Sequence, residues 1–201
     1  FDTVTGGGQG INQIWEFTPS PAGWVQKPTV LPVPLGYIPT TTIGSLIYTG
    51  GGSDITAGAL TDTTNSFVYN PVANTIGTIA AIPRATGETR ALSWNGKMLV
   101  MGGGRTAPNP SSEVDAYDPA TDTWQHLAPL PHAVTHAGVA AVGTDIWFGG
   151  GYTMRSDGEQ NFASVEVFKY DTLTNAWSAG PSLPAARSRH RDKGRNRQER
   201  R

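Results

Sequence analysis

Leu99-Val100-Met101-Gly102-Gly103-Gly104 is a short apolar strand that runs straight into three glycines. The same arrangement occurs at Thr3-Val4-Thr5-Gly6-Gly7-Gly8, Ile47-Tyr48-Thr49-Gly50-Gly51-Gly52 and Ile146-Trp147-Phe148-Gly149-Gly150-Gly151. The first glycines are 44, 52 and 47 residues apart. A second series runs in step with them. It pairs an aromatic with a large residue seven positions on: Phe17 and Trp24, Tyr69 and Ile76, Tyr117 and Trp124, Tyr170 and Trp177. Seven further on stand Pro83, Pro131 and Pro184, and in the first unit Leu31 with Pro32 beside it. Between aromatic and partner lie turn residues such as Asp118-Pro119, whose ring or side chain presets a tight turn.

Each unit therefore reads as a strand, a strand ending in glycines, a strand ending in an aromatic, a turn, and a strand that opens at Trp. A period of roughly 40–50 residues is that of a β-propeller blade. The predicted fold is all-β, about four blades of four-stranded antiparallel sheet in an incomplete ring. Blades fall at about 1–31, 32–82, 83–130 and 131–183, with a basic tail over 185–201. Glycines at the end of an inner strand let backbones approach where a side chain would clash. The Tyr/Trp pairs suit the packing between neighbouring sheets, each ring burying about 150–250 Å².

The third unit, from Pro83-Arg84 through Gly102-Gly103, Tyr117-Asp118-Pro119 and Trp124 to Leu130-Pro131, resembles the kelch repeat, and the fourth is nearly as close. The resemblance runs from residue 1 to about 190. It implies a kelch-type propeller of the galactose oxidase-like superfamily, whose rings commonly hold six or seven blades. It also brings in two enzyme classes, copper oxidases and sialic acid mutarotases, and adaptors of the ubiquitin-ligase kind. The oxidases need a Cys crosslinked to a Tyr, and the chain has no Cys. The adaptors carry accompanying BTB or F-box domains, which these residues do not include.

Composition bounds the rest. Without cysteine there is no disulfide and no thiolate chemistry. No apolar run is long enough to span a membrane. Residues 185–201 hold seven Arg and one Lys against Asp192 and Glu199, a net +6, and the tail is expected to be disordered. The body then carries 7 basic and 14 acidic residues, and such a mildly acidic surface does not suit nucleic acid. Sparse charge and abundant Thr, Ser and Gly lean towards an extracellular or cell-surface setting, with the cytoplasm as the alternative.

The loops after the glycine triplets and those after the Trp strands emerge on one face, and the former vary most in length. Variable loops on a repeated scaffold are where binding lives. The candidate ligand-binding residues are Arg84, Arg105, His132, Arg155 and Asp157, against the alternative that each is a solvated charge or a structural ion pair. The partner expected is a protein or a glycan, and no cofactor and no catalytic set is expected. Glu88, Arg90 and His136 are the acid/base groups a mutarotase reading would use. His126, His132 and His136 invite a metal, but they lie across a strand end and a loop with no carboxylate cluster beside them in sequence, so none is expected.

Overall fold

The computed structural model describes residues 10–54, 61–104, 110–154 and 160–187. Every regular element among them is a strand. Three four-stranded antiparallel sheets follow one another along the chain. The first is β4(Thr40–Ile43), β5(Leu46–Gly50), β8(Ser66–Asn70) and β9(Thr75–Thr78). The second is β10(Arg90–Trp94), β11(Lys97–Met101), β12(Val114–Asp118) and β13(Thr123–His126). The third is β15(Gly138–Val142), β16(Asp145–Gly149), β19(Val167–Asp171) and β20(Ala176–Ala179). A two-stranded ribbon, β1(Gln13–Pro19) with β2(Ala22–Val30), precedes them. Phe1–Gly8 lies outside the described residues.

Strand β11 shows why the inner strands are apolar without alternation. Met98 and Val100 point into a cluster with Tyr48, Ile82 and Tyr117. Leu99 and Met101 point the other way, into a cluster with Val114, Ile146 and Phe148. Successive side chains leave a strand on opposite faces. A strand with a sheet against each face must therefore be apolar at every position.

The seams between sheets repeat one device. Tyr117 Oη donates to Asp122 Oδ1 at 2.8 Å, and the same oxygen accepts the Ala80 N–H of the preceding sheet at 2.7 Å. Trp124 Nε1 returns to the Ala80 carbonyl at 2.7 Å. One sheet later, Tyr170 and the Ala128 N–H meet Asn175 Oδ1 at 2.7 and 2.8 Å, and Trp177 reaches the Ala128 carbonyl at 2.8 Å. Asp122, Asn175 and the matching Asn74 all sit at φ near +50°, a conformation that Asn and Asp tolerate better than most residues. The turn residue is thus chosen for its backbone and for its acceptor together.

Burial and the neighbouring Asp122 carboxylate push the Tyr117 hydroxyl pKa up. The Ala80 N–H, and then Tyr117, hold that of Asp122 below its usual value. A carboxylate with a depressed folded pKa adds stability above its unfolded value of about 3.9, and that stability is lost as pH falls through the folded one. Asn already fills this turn position at 74 and 175. Asp122→Asn is therefore expected to keep the urea midpoint of the wild type at pH 7 and to lose less of it below pH ~4. Parallel acid slopes for the two proteins would refute this.

The ribbon departs from the sequence reading in two ways. Leu31 N–H donates to the Asn12 carbonyl just as Ile82 does to Thr64, so Leu31 matches Ile82, and Pro32 matches Pro83. A bulge between the pairs Gln13↔Val30 and Trp15↔Gln26 takes up the extra residue. Phe17 and Trp24 do face each other at 5.0 Å, yet they are 50% and 66% exposed rather than buried between sheets. The other pairs are covered because a preceding sheet lies against them, and among the described residues none lies against this one.

Candidate functional site

Two small sheets that the strand pattern did not announce knit the loops of one face. They are β3(Leu35–Gly36) with β6(Ser53–Asp54) and β7(Thr61–Asp62), and β14(Val134–Thr135) with β17(Tyr152–Met154) and β18(Gln160–Ala163). The glycine triplets sit under them. Gly52, Gly103 and Gly151 donate their N–H groups to the carbonyls of Thr86, Val134 and Arg187 at 2.7–2.8 Å. A Cβ on Gly51 would lie 2.4 Å from the Thr86 oxygen, and one on Gly102 2.5 Å from that of Val134. Close backbone approach is therefore what the triplets supply, as the sequence reading holds. Arg187 N–H bonds to the Ser164 carbonyl at 3.2 Å, in the place that Thr86 and Val134 hold in their own blades.

At the centre of this face the loops that lead from one blade into the next are bonded in series. Glu88 N–H donates to the Tyr37 carbonyl at 3.3 Å, and His136 N–H to the Glu88 carbonyl at 3.0 Å. Tyr37, Glu88 and His136 share a left-handed backbone, φ 50°, 54° and 55°. Each such residue costs about 1–2 kcal/mol unless its surroundings enforce it. The loop geometry is thus fixed and repeated while the side chain it offers changes from Tyr to Glu to His.

Those side chains converge. His136 Nδ1 lies 3.8 Å from Glu88 Oε2, whose carboxylate is 6% exposed. The imidazole meets Tyr37 and Tyr152 edge-on at 6.3 and 5.8 Å. Beside it opens a cavity of about 290 Å³ lined by Arg90, His136, Ala137, Gly138, Gly149, Gly151 and Arg187. Of this cluster, Glu88, Arg90 and His136 are named from sequence. Tyr37 is missed, although it too stands five residues after its blade's proline, Pro32, as Glu88 does after Pro83 and His136 after Pro131.

Arg84 and His132 occupy equivalent places one blade apart, and each is held by its own surroundings. Arg84 is half-buried and donates to the Gly102 carbonyl at 3.3 Å; burial lowers its pKa against the pull of Asp115, Glu113 and Asp62. His132 is exposed, 2.8 Å from Glu166 Oε2, with its ring against Phe168. Arg105, Arg155 and Asp157 lie outside the described residues. The three histidines of the metal reading each face a different carboxylate: His126 lies 2.7 Å from Asp115, His132 beside Glu166, and His136 beside Glu88. Among the described residues no three His, Cys, Asp or Glu gather to hold a metal, and no helix is long and apolar enough to cross a membrane.

Comparisons with known proteins agree with the fold. A family profile described as Kelch motif matches residues 86–131. Beta-scruin of Limulus polyphemus is 29% identical over 146 residues, 71% of this chain and 16% of that protein. Kelch-like protein terF of Aspergillus terreus is 28% identical over 189 residues, 88% of this chain and 41% of that protein. The solved structure "Structure of YjhT" superposes with a TM-score of 0.72 at 17% identity, over 88% of this chain and 61% of that one. The chain spans less than half the length of these curated relatives. The repeat, the sheets and the relatives agree with one another: residues 86–131 match the kelch motif, and the described strands form the four-stranded antiparallel sheets of a kelch-type β-propeller, not closed into a ring among the described residues.

Proposed function

We infer that the chain is a non-catalytic interaction module that binds a protein partner through the face carrying the glycine-triplet loops and the loops between blades. The observation that carries this reading is the bonded series Tyr37–Glu88–His136. A fixed backbone that presents a different side chain in each blade is a scaffold for recognition. The kinship with Kelch-like proteins supports an interaction role. Arg84 and His132 are the proposed contacts within the described residues, and Arg105, Arg155 and Asp157, which lie outside them, complete the proposed set. A glycan is the other ligand this face would suit.

The test compares the two ends of the blades. His132→Glu puts a carboxylate in place of an exposed imidazole on the loop face, beside Glu166. Leu173→Glu alters a hairpin tip at the other end, where the side chain is 87% exposed. A partner captured by the wild-type chain, or a glycan retained on an array, should be bound at least tenfold more weakly by His132→Glu and equally well by Leu173→Glu. The reverse pattern would place recognition elsewhere.

One observation favours a second reading, a carbohydrate-active enzyme of the mutarotase kind. Glu88 and His136 are brought together beside the cavity that Arg90 also lines. An acid/base pair contributes typically 10²–10⁴-fold. If the protein epimerises a sugar, Glu88→Gln and His136→Ala should each lose at least a hundredfold in rate, and unchanged rates would end this reading.

A further inference from the structure

The ribbon exposes an aromatic face, and among the described residues no sheet lies against the far side of the last one. Each later Trp docks on the sheet before it, at the backbone of Ala80 or of Ala128. The place equivalent to these on the last sheet is Pro181, because Gly180 N–H bonds to Val167 just as Leu127 does to Val114. Pro181 keeps a carbonyl for an indole N–H, but it has no N–H of its own. The ribbon shows the matching loss. Where the other blades have a Tyr hydroxyl and an Asx acceptor, it has Phe17 and Ala22. An N–H facing an absent acceptor would be costly to bury, and so would an acceptor facing an absent N–H. Here donor and acceptor are missing together, on two surfaces far apart in sequence.

The glycine that faces the docked Trp recurs on the last sheet. In the first complete sheet Gly50 makes room for Trp124, since a Cβ there would lie 2.8 Å from the indole ring. The equivalent residue on the last sheet is Gly149, where a Cβ would meet Val167 Cγ2 of the same sheet at 3.0 Å rather than a Trp. Trp24 is 66% exposed and Pro181 is exposed, so among the described residues these surfaces are not joined. We propose that the Phe17–Trp24 face of one chain docks on the Gly149–Pro181 face of a second copy, head to tail, with Trp24 Nε1 donating to the Pro181 carbonyl. Such a contact joins unlike surfaces, so it forms closed rings or open chains of copies according to the angle.

The test uses light scattering on the full chain and two variants at exposed positions, Trp24→Glu and Pro181→Arg, whose melting temperatures should match the wild type. The wild type should gain mass with concentration and shift its tryptophan emission to the blue. Each variant alone should associate at least tenfold more weakly. Mixed, they keep one intact surface each and should form a two-chain species that neither forms alone. A wild type that stays monomeric at its highest soluble concentration would overturn the proposal. So would variants that still self-associate, a mixture that stays monomeric, or a monomer in which Trp24 is already shielded from quencher.

Discussion

Gly103→Ala is expected to cost about 3 kcal/mol or more, combining a left-handed penalty of about 1–2 with overpacking of about 1–3. Gly103 has φ +86°, and a Cβ there would lie 2.4 Å from Thr89 Cβ and 2.6 Å from the Gly87 carbonyl oxygen. Neither neighbour can give way cheaply. The Gly87 carbonyl accepts the Gly104 N–H at 2.8 Å, and Thr89 is buried with its hydroxyl bonded to the Met101 carbonyl. Shifting the loop would also strain the bond from Gly103 N–H to Val134, which ties the second complete sheet to the start of the third. Gly77→Ala is the control. That glycine lies in a strand with ordinary φ, and its nearest contact would be Val68 Cγ1 at 3.5 Å. It should be neutral or stabilise by up to about 1 kcal/mol, since alanine narrows the unfolded ensemble. Urea melts of both variants decide the matter, and equal midpoints would mean that the triplets matter for composition and not for close approach.

The period made the fold readable, and it did so for a physical reason. Every blade must solve the same two packing problems, backbone against backbone at the triplets and ring against backbone at the seams. Gly51, Gly102 and Gly150 therefore recur, as do Tyr69, Tyr117 and Tyr170. What was not readable is what differs between blades. Phe17 and Trp24 match the repeat in spelling, yet their burial depends on a neighbour that no residue of the ribbon encodes. The two small sheets escaped notice because their strands are two to four residues long, too short for alternation to register. The centre of the loop face was half visible. Glu88 and His136 stand out as ionisable residues in a weakly charged chain, whereas Tyr37 reads as one more apolar residue until the backbone series joins it to them. Side-chain chemistry flags candidates one at a time. The seam and ladder geometry decides which of them meet.

Phe148→Ala should lower stability by about 3–5 kcal/mol, the range for removing a buried aromatic ring. Phe148 is 2% exposed in β16, and its cluster draws on two sheets: Leu99, Met101 and Val114 from the second, Ile146, Phe168 and Tyr170 from the third. The ring also meets Trp177 edge-on at 6.3 Å. Emptying this place therefore loosens the joint between two blades as well as one sheet. A double-mutant cycle with Trp177→Leu isolates the ring pair, and a coupling of about 0.5–1.5 kcal/mol is expected beyond the lost area. Phe17→Ala gives the contrast. It removes the same side chain from a ring that is half exposed, and it should cost about 1 kcal/mol or less in the monomer. Comparable losses at Phe17 and Phe148 would mean that the ribbon's aromatic face is already covered within one chain. A large gap between them, measured at low protein concentration, is what an open first seam requires.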